Sequence, residues 1–204
     1  MNRPFWFLGF DSIMELIEFA IAIAIAYQAL KGHKLFKERT LLFLNLSFTL
    51  LGVGLLTDSL SNTVVLLSAF RRAFLPLIGL GYTINFITQA LAYGILIFAY
   101  VRQSGSSDRE TALAVLPFML FEQNAISELI LIFLLVYIAA QTALNYSLNR
   151  STNSLLVFGG FASLVVAHLF FLLFTIAPIF FPLAHVAQLF GFLLLLGMLL
   201  RVNA

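Results

Sequence analysis

Residues 7–30 read FLGFDSIMELIEFAIAIAIAYQAL. As a helix this stretch reaches about 36 Å, enough to cross a hydrocarbon core of about 30 Å. It carries Asp11, Glu15 and Glu18 in its first half and no charge from Phe19 to Leu30. The three acids fall at i, i+4 and i+7, which places them on one stripe of a helix. A helix with a charged stripe and otherwise apolar faces suits a membrane span whose stripe is turned away from lipid.

Working outward, apolar runs of spanning length recur near residues 40–60, 77–101, 124–146, 154–176 and 182–201. Runs such as Leu193-Leu194-Leu195-Leu196 are apolar on every face, whereas transmembrane strands alternate polar and apolar, so the spans are helices. Composition agrees. Of 204 residues, 62% are hydrophobic and 10% charged, against about 25% charged in soluble domains, and the mean hydropathy is +1.04. Six spans leave no room for a separate soluble domain, and the expected fold class is an all-α polytopic membrane protein with six transmembrane helices in one domain, 1–204. Two shorter apolar segments, 64–74 with Arg71 and Arg72 and 111–121 with Pro117, are expected to lie at the interface without crossing. The first run is expected to be a true span, because its acids and unbroken length do not fit a cleavable signal peptide.

The formal charge of +2 is spread thinly, with no block of like charge, which argues against nucleic acid as a partner. The chain has no cysteine, which excludes disulfides, thiolate metal sites and cysteine nucleophiles. The most basic loop holds Lys31, Lys34, Lys37 and Arg39. The positive-inside rule puts loop 31–39 in the cytoplasm of a cell-membrane protein and, with six spans, both termini outside.

The chain also aligns with itself. An offset of 113 places Glu15-Leu16-Ile17 on Glu128-Leu129-Ile130, Ile25-Ala26 on Ile138-Ala139, Gln28 on Gln141, Lys37 on Arg150 and Phe48 on Phe161; an offset of 99 places Gln89 on Gln188 and Arg102 on Arg201. This predicts two three-helix units, 7–102 and 124–201, joined by a linker over 103–123. With an odd number of spans in each unit and a linker that does not cross, the units are expected to face opposite ways, as in many transporters; a crossing 111–121 would instead make them parallel, a three-one-three plan whose Pro-Gln pair does not occur in this sequence.

Acids inside spans are costly unless they face a partner or water. With the units inverted, two clusters are predicted. An outer one holds Asp11, Glu15, Glu18, Asp58, Asn85, Gln89 and Gln141. An inner one holds Glu128, His168 and His185, with Gln188 one turn beyond. One carboxylate and two imidazoles at one depth form a donor set for Zn or Fe, for a b-type haem through His168 and His185, or for a quinone. The same histidines can instead make one interhelical hydrogen bond each. No Gly-x-Ser-x-Gly or HExxH motif occurs, Gly160-Phe161-Ala162-Ser163 does not match the rhomboid nucleophile motif, and the last span has no lysine for a retinal Schiff base.

Gly160-Phe161-x-Ser163 with His168, and His185-x-x-Gln188-Leu189-x-Gly191-Phe192 running to Arg201-Val202, resemble elements of uncharacterised small archaeal polytopic membrane proteins. More loosely, they are similar to membrane blocks that precede sensor kinases, although this sequence has no cytoplasmic output domain. The resemblance covers mainly the second half and implies no activity. Three functions are consistent with the sequence. The lack of catalytic motifs points to a non-catalytic subunit or scaffold, packed in lipid with other membrane chains or with copies of itself. The intramembrane acids and inverted repeat point to a small-solute or ion transporter. The two histidines point to a haem- or quinone-binding redox subunit.

Overall fold

In lipid each segment must close its backbone hydrogen bonds internally, and the described segments of this chain do so as helices. The computed structural model describes residues 5–68, 71–103 and 124–203. They form α1 Phe5–Phe36, α2 Arg39–Leu67, α3 Arg71–Gln103, α4 Asn124–Asn149, α5 Thr152–Leu173 and α6 Phe180–Val202. All six are long and apolar enough to cross a membrane, and no strand occurs among the described residues.

The helix ends have identifiable causes. Lys37 (φ 59°) and Arg150 (φ 44°) take the left-handed conformation, and their N–H groups donate to the carbonyls of His33 and Tyr146, both at 2.8 Å. A left-handed residue of this kind turns the chain out of a helix, and the two positions are related by the 113 offset. α5 restarts at once through a capping box: Ser151 Oγ accepts from the Ser154 N–H at 3.1 Å, and Ser154 Oγ accepts from the Ser151 N–H at 3.2 Å. The α5–α6 turn closes with the Phe181 N–H donating to the Pro178 carbonyl at 3.2 Å.

The expected interfacial helix over 64–74 is not a separate element. Val64–Leu67 is the last turn of α2, and residues 71–74 are the first turn of α3. Asp58 and Asn62 are buried in the bundle, so α2 must run past them before it leaves the packed region. The second predicted interfacial segment, 111–121, lies outside the described residues.

Helix direction follows from contacts between helix ends. Asp11, early in α1, meets His185, early in α6. Glu128, early in α4, meets Tyr82 in the first half of α3 and His168 near the end of α5. At the opposite end, Asn203 donates to the Gln28 carbonyl of α1 at 2.8 Å. Thus α1, α3, α4 and α6 run one way, from an acidic end to a basic end, and α2 and α5 return. The two units therefore face the same way, and the opposite-facing arrangement expected from the sequence is not the one observed. α3 ends at the basic end and α4 begins at the acidic end. The first and last described residues also lie at opposite ends of the bundle.

Within the units α1 packs on α2, α2 on α3, α4 on α5 and α5 on α6; the units meet where α1 packs on α6 and α3 on α4. Offset-related positions share burial: Ile25 with Ile138, Phe48 with Phe161 and Leu51 with Leu164 are all core residues, as are Tyr93 with Phe192 at the offset of 99. Gly160 and Gly191 let α5 and α6 approach closely, since a Cβ on Gly191 would stand 2.8 Å from the Gly160 carbonyl oxygen.

Candidate functional site

The first half of α1 is turned inside out. Glu18 is fully buried while Ile13 and Leu16 are 62% and 51% exposed, the distribution expected when the surroundings are lipid. The predicted stripe of Asp11, Glu15 and Glu18 is buried along its whole length. Reciprocal bonds hold α1 to α2 beside it: Ser59 Oγ donates to the Ser12 carbonyl at 2.8 Å, and Ser12 Oγ to the Ser59 carbonyl at 3.2 Å.

His185 of α6 bridges two of these acids. Its Nδ1 lies 3.0 Å from Glu18 Oε1 and its Nε2 lies 3.0 Å from Asp11 Oδ1. Two such contacts need two hydrogens, supplied either by an imidazolium or by a neutral imidazole and one carboxylic acid. In both cases the trio carries one net negative charge. Gln188, three residues further along α6, donates to the other Glu18 oxygen at 3.0 Å. Asn62 of α2 donates to Asp11 Oδ2 at 3.3 Å and Glu15 Oε2 at 3.5 Å. Phe171 and Phe181 set their rings edge-on to His185, at centroid distances of 5.1 and 5.0 Å.

A second chain of bonds starts from Asp58. Asn85 Nδ2 donates to Asp58 Oδ2 at 3.3 Å, and Gln89 Nε2 donates to Asn85 Oδ1 at 2.9 Å. Across the unit boundary the Tyr82 hydroxyl donates to Glu128 Oε1 at 3.4 Å, and His168 Nδ1 lies 2.8 Å from Glu128 Oε2. These groups surround one cavity of about 160 Å³. Its lining includes the carboxyl groups of Asp11, Glu15, Glu18, Asp58 and Glu128 and the imidazoles of His168 and His185, and among the residues whose side chains are described, which leaves out Arg71 and Arg72, no lysine or arginine lines it. The Glu15 and Asp58 carboxyl groups also hydrogen-bond one another, which requires one proton between them; with the other groups ionised, four negative and two positive charges leave an excess of two negative charges, which burial makes costly without a counter-charge.

The site merges the two clusters expected from the sequence. Asp11, Glu15, Glu18, Asp58, Asn85, Gln89, Glu128, His168, His185 and Gln188 all line the one cavity. The separation into outer and inner groups fails because α4 runs parallel to α1, which brings Glu128 to the acidic end. Gln141 stays apart, since it lies in the half of α4 nearer the basic end and does not line the cavity. Asn62 and Tyr82 are site residues the sequence reading missed. Asn62 stands one helical turn after Asp58, so i, i+4 spacing could have found it; nothing local marked Tyr82.

The bis-histidine haem reading does not fit. Both nitrogens of His185 are engaged by carboxylates, so neither offers a lone pair to iron. Among the described residues no three His, Asp or Glu groups converge in a way that could hold a metal ion.

Fold and site together define a polytopic α-helical membrane protein with a buried, acid-rich polar cavity at one end of the bundle. No protein-family model matches the chain, and comparisons with curated proteins and with solved structures found no match.

Proposed function

We propose that the protein binds a small cation in this cavity and moves it across the membrane. The observation that carries the reading is the cavity itself: five carboxyl groups against two imidazoles, buried where lipid surrounds the bundle, with no basic side chain among the described lining residues. Such an excess of acid is retained in membrane proteins where ions or protons pass.

The repeat supports the same reading. Exchanging α1 with α4 and α3 with α6 turns the α1–α6 contact into the α4–α3 contact, which is the pairing at the unit boundary. Two like-facing units related about an axis along the membrane normal are a known transporter plan, with the binding site at the boundary between them. The cavity draws on both units there. The scaffold reading gains no observation of its own, because the exposed apolar side chains of all six helices are what lipid contact requires.

Orientation follows from helix direction. The basic end carries Lys31, Lys34, Lys37, Arg39, Arg102, Arg150 and Arg201, against Arg71 and Arg72 at the acidic end among the described residues. Like-facing units thus strengthen the charge bias, since Arg150 and Arg201 join the 31–39 loop. On the positive-inside rule we assign this end to the cytoplasm and the acidic end of the bundle to the outer side.

The test is electrometry on proteoliposomes. A cation concentration jump should give transient currents with the full chain that are lost in the double variant Glu18→Gln, Glu128→Gln. Absence of current and of binding for metal ions, ammonium and organic cations alike would remove the reading.

A further inference from the structure

We infer that the cation taken by this site is a small one rich in N–H donors, a primary alkylammonium or a guanidinium; the inference rests on the cation-binding reading and names its substrate class. The direction of the hydrogen bonds sets what the ligand must offer. Ionised carboxylates only accept, so the amides beside them must turn their NH2 groups toward them. Asn62 gives its NH2 to Asp11 and Glu15. Asn85 gives its NH2 to Asp58, and Gln89 gives its own to Asn85 Oδ1. Each chain of bonds therefore ends on an oxygen.

Those ends are unmatched. Asn62 Oδ1, Gln89 Oε1 and His168 Nε2 are buried and have no hydrogen-bond partner among the described residues, although all three residues line the cavity. Asn62, Gln89 and His168 are only 2%, 7% and 2% exposed. With Nδ1–H of His168 directed at Glu128, its Nε2 presents a lone pair in the neutral ring. The site thus combines surplus negative charge with three unfilled acceptors, and buried acceptors left unfilled are costly.

A quaternary ammonium has the charge but no N–H to give. A bare metal ion needs several ligands converging on one point within about 2.6 Å, and no such group of His, Asp and Glu occurs among the described residues. A primary ammonium carries three N–H donors, an alkylguanidinium five and the free guanidinium ion six. Phe86, Phe171, Phe174 and Phe181 among the lining residues supply apolar surface and ring faces for the body of such a cation.

The experiment measures thermal stabilisation and calorimetric binding on the full chain in nanodiscs, with n-propylammonium, guanidinium, tetramethylammonium and potassium at equal millimolar concentration and ionic strength. Propylammonium and guanidinium should bind and raise the melting temperature, and the other two should do neither. Gln89→Lys, which keeps an N–H donor for Asn85 Oδ1 while removing the Oε1 acceptor and adding a tethered ammonium, should weaken propylammonium binding by about fivefold or more, at least the weight of one hydrogen bond. If that variant does not fold, Gln89→Asn, which draws the amide back by one methylene, should weaken binding in the same direction. Tetramethylammonium binding as well as propylammonium overturns the inference, as does unchanged affinity in the folded variant. Potassium or sodium currents without any amine binding overturn it while leaving the cation-transport reading in place; no binding of any cation removes both.

Discussion

His185 is held by two carboxylates of one helix, and His168 by one. This difference sets the order of their mutational effects. Replacing His185 with Leu leaves Asp11 and Glu18 buried without their shared counterpart, a change that costs about 3–5 kcal/mol when a buried ion pair is broken. The amide bonds from Asn62 and Gln188 remain, so the expected loss in thermal unfolding lies near the lower end of that range. Adding Asp11→Asn to His185→Leu should recover part of the loss, because it removes one uncompensated charge. His168→Leu should cost much less, about 1 kcal/mol, since interhelical hydrogen bonds in bilayers average about 0.6 kcal/mol and Glu128 keeps Tyr82. Equal losses for the two variants would show that His185 is not the clamp described. The acid stripe was legible at this scale because Asp11, Glu15 and Glu18 belong to one helix and one period. Their partners were not, because His185 lies 174 residues from Asp11.

At the scale of the elements, Lys37 and Arg150 both occupy a backbone region that L-residues with a Cβ adopt at a cost of about 1–2 kcal/mol. Each ends the first helix of its unit in the same way. Lys37→Gly and Arg150→Gly should each stabilise the protein by up to about 1 kcal/mol, less the entropy glycine adds to the unfolded chain. Unchanged or lower melting temperatures for both variants would contradict the left-handed turns. Gly191→Ala works the other way. Its Cβ would meet the backbone oxygen of Gly160, which cannot move aside like a side chain, so α5 and α6 must separate at an expected cost of about 1–3 kcal/mol. The six spans were legible because about 20 apolar residues in a row have one stable form in lipid. The join near residues 64–74 was not, because helix ends there follow from how deep Asp58 and Asn62 are buried.

For the whole molecule, the like-facing units make a prediction that single cysteines can test, helped by a sequence with no native cysteine. Lys34→Cys and Ser151→Cys should react with a membrane-impermeant maleimide from one side of the membrane, and Ile176→Cys from the other. Inverted units would put positions 34 and 151 on opposite sides, so the pattern of labelling in right-side-out and inside-out vesicles decides between the two arrangements. Reaction of 34 and 151 from the cytoplasmic face would also establish the orientation derived from the seven basic residues at that end.

Composition, span length and the stripe on α1 were enough to determine an all-α membrane protein and to single out most of its polar residues, because the cost of a polar group in lipid is local and written into each helix. Whether the two units face the same way or opposite ways depends on where α3 ends relative to α4, and no local pattern records that. Helix packing settles it, by bringing Tyr82 to Glu128 and Asp11 to His185. Those two contacts between the units turn scattered intramembrane acids into one site, because the energy that selects them is the pairing of groups that meet only after the helices have packed.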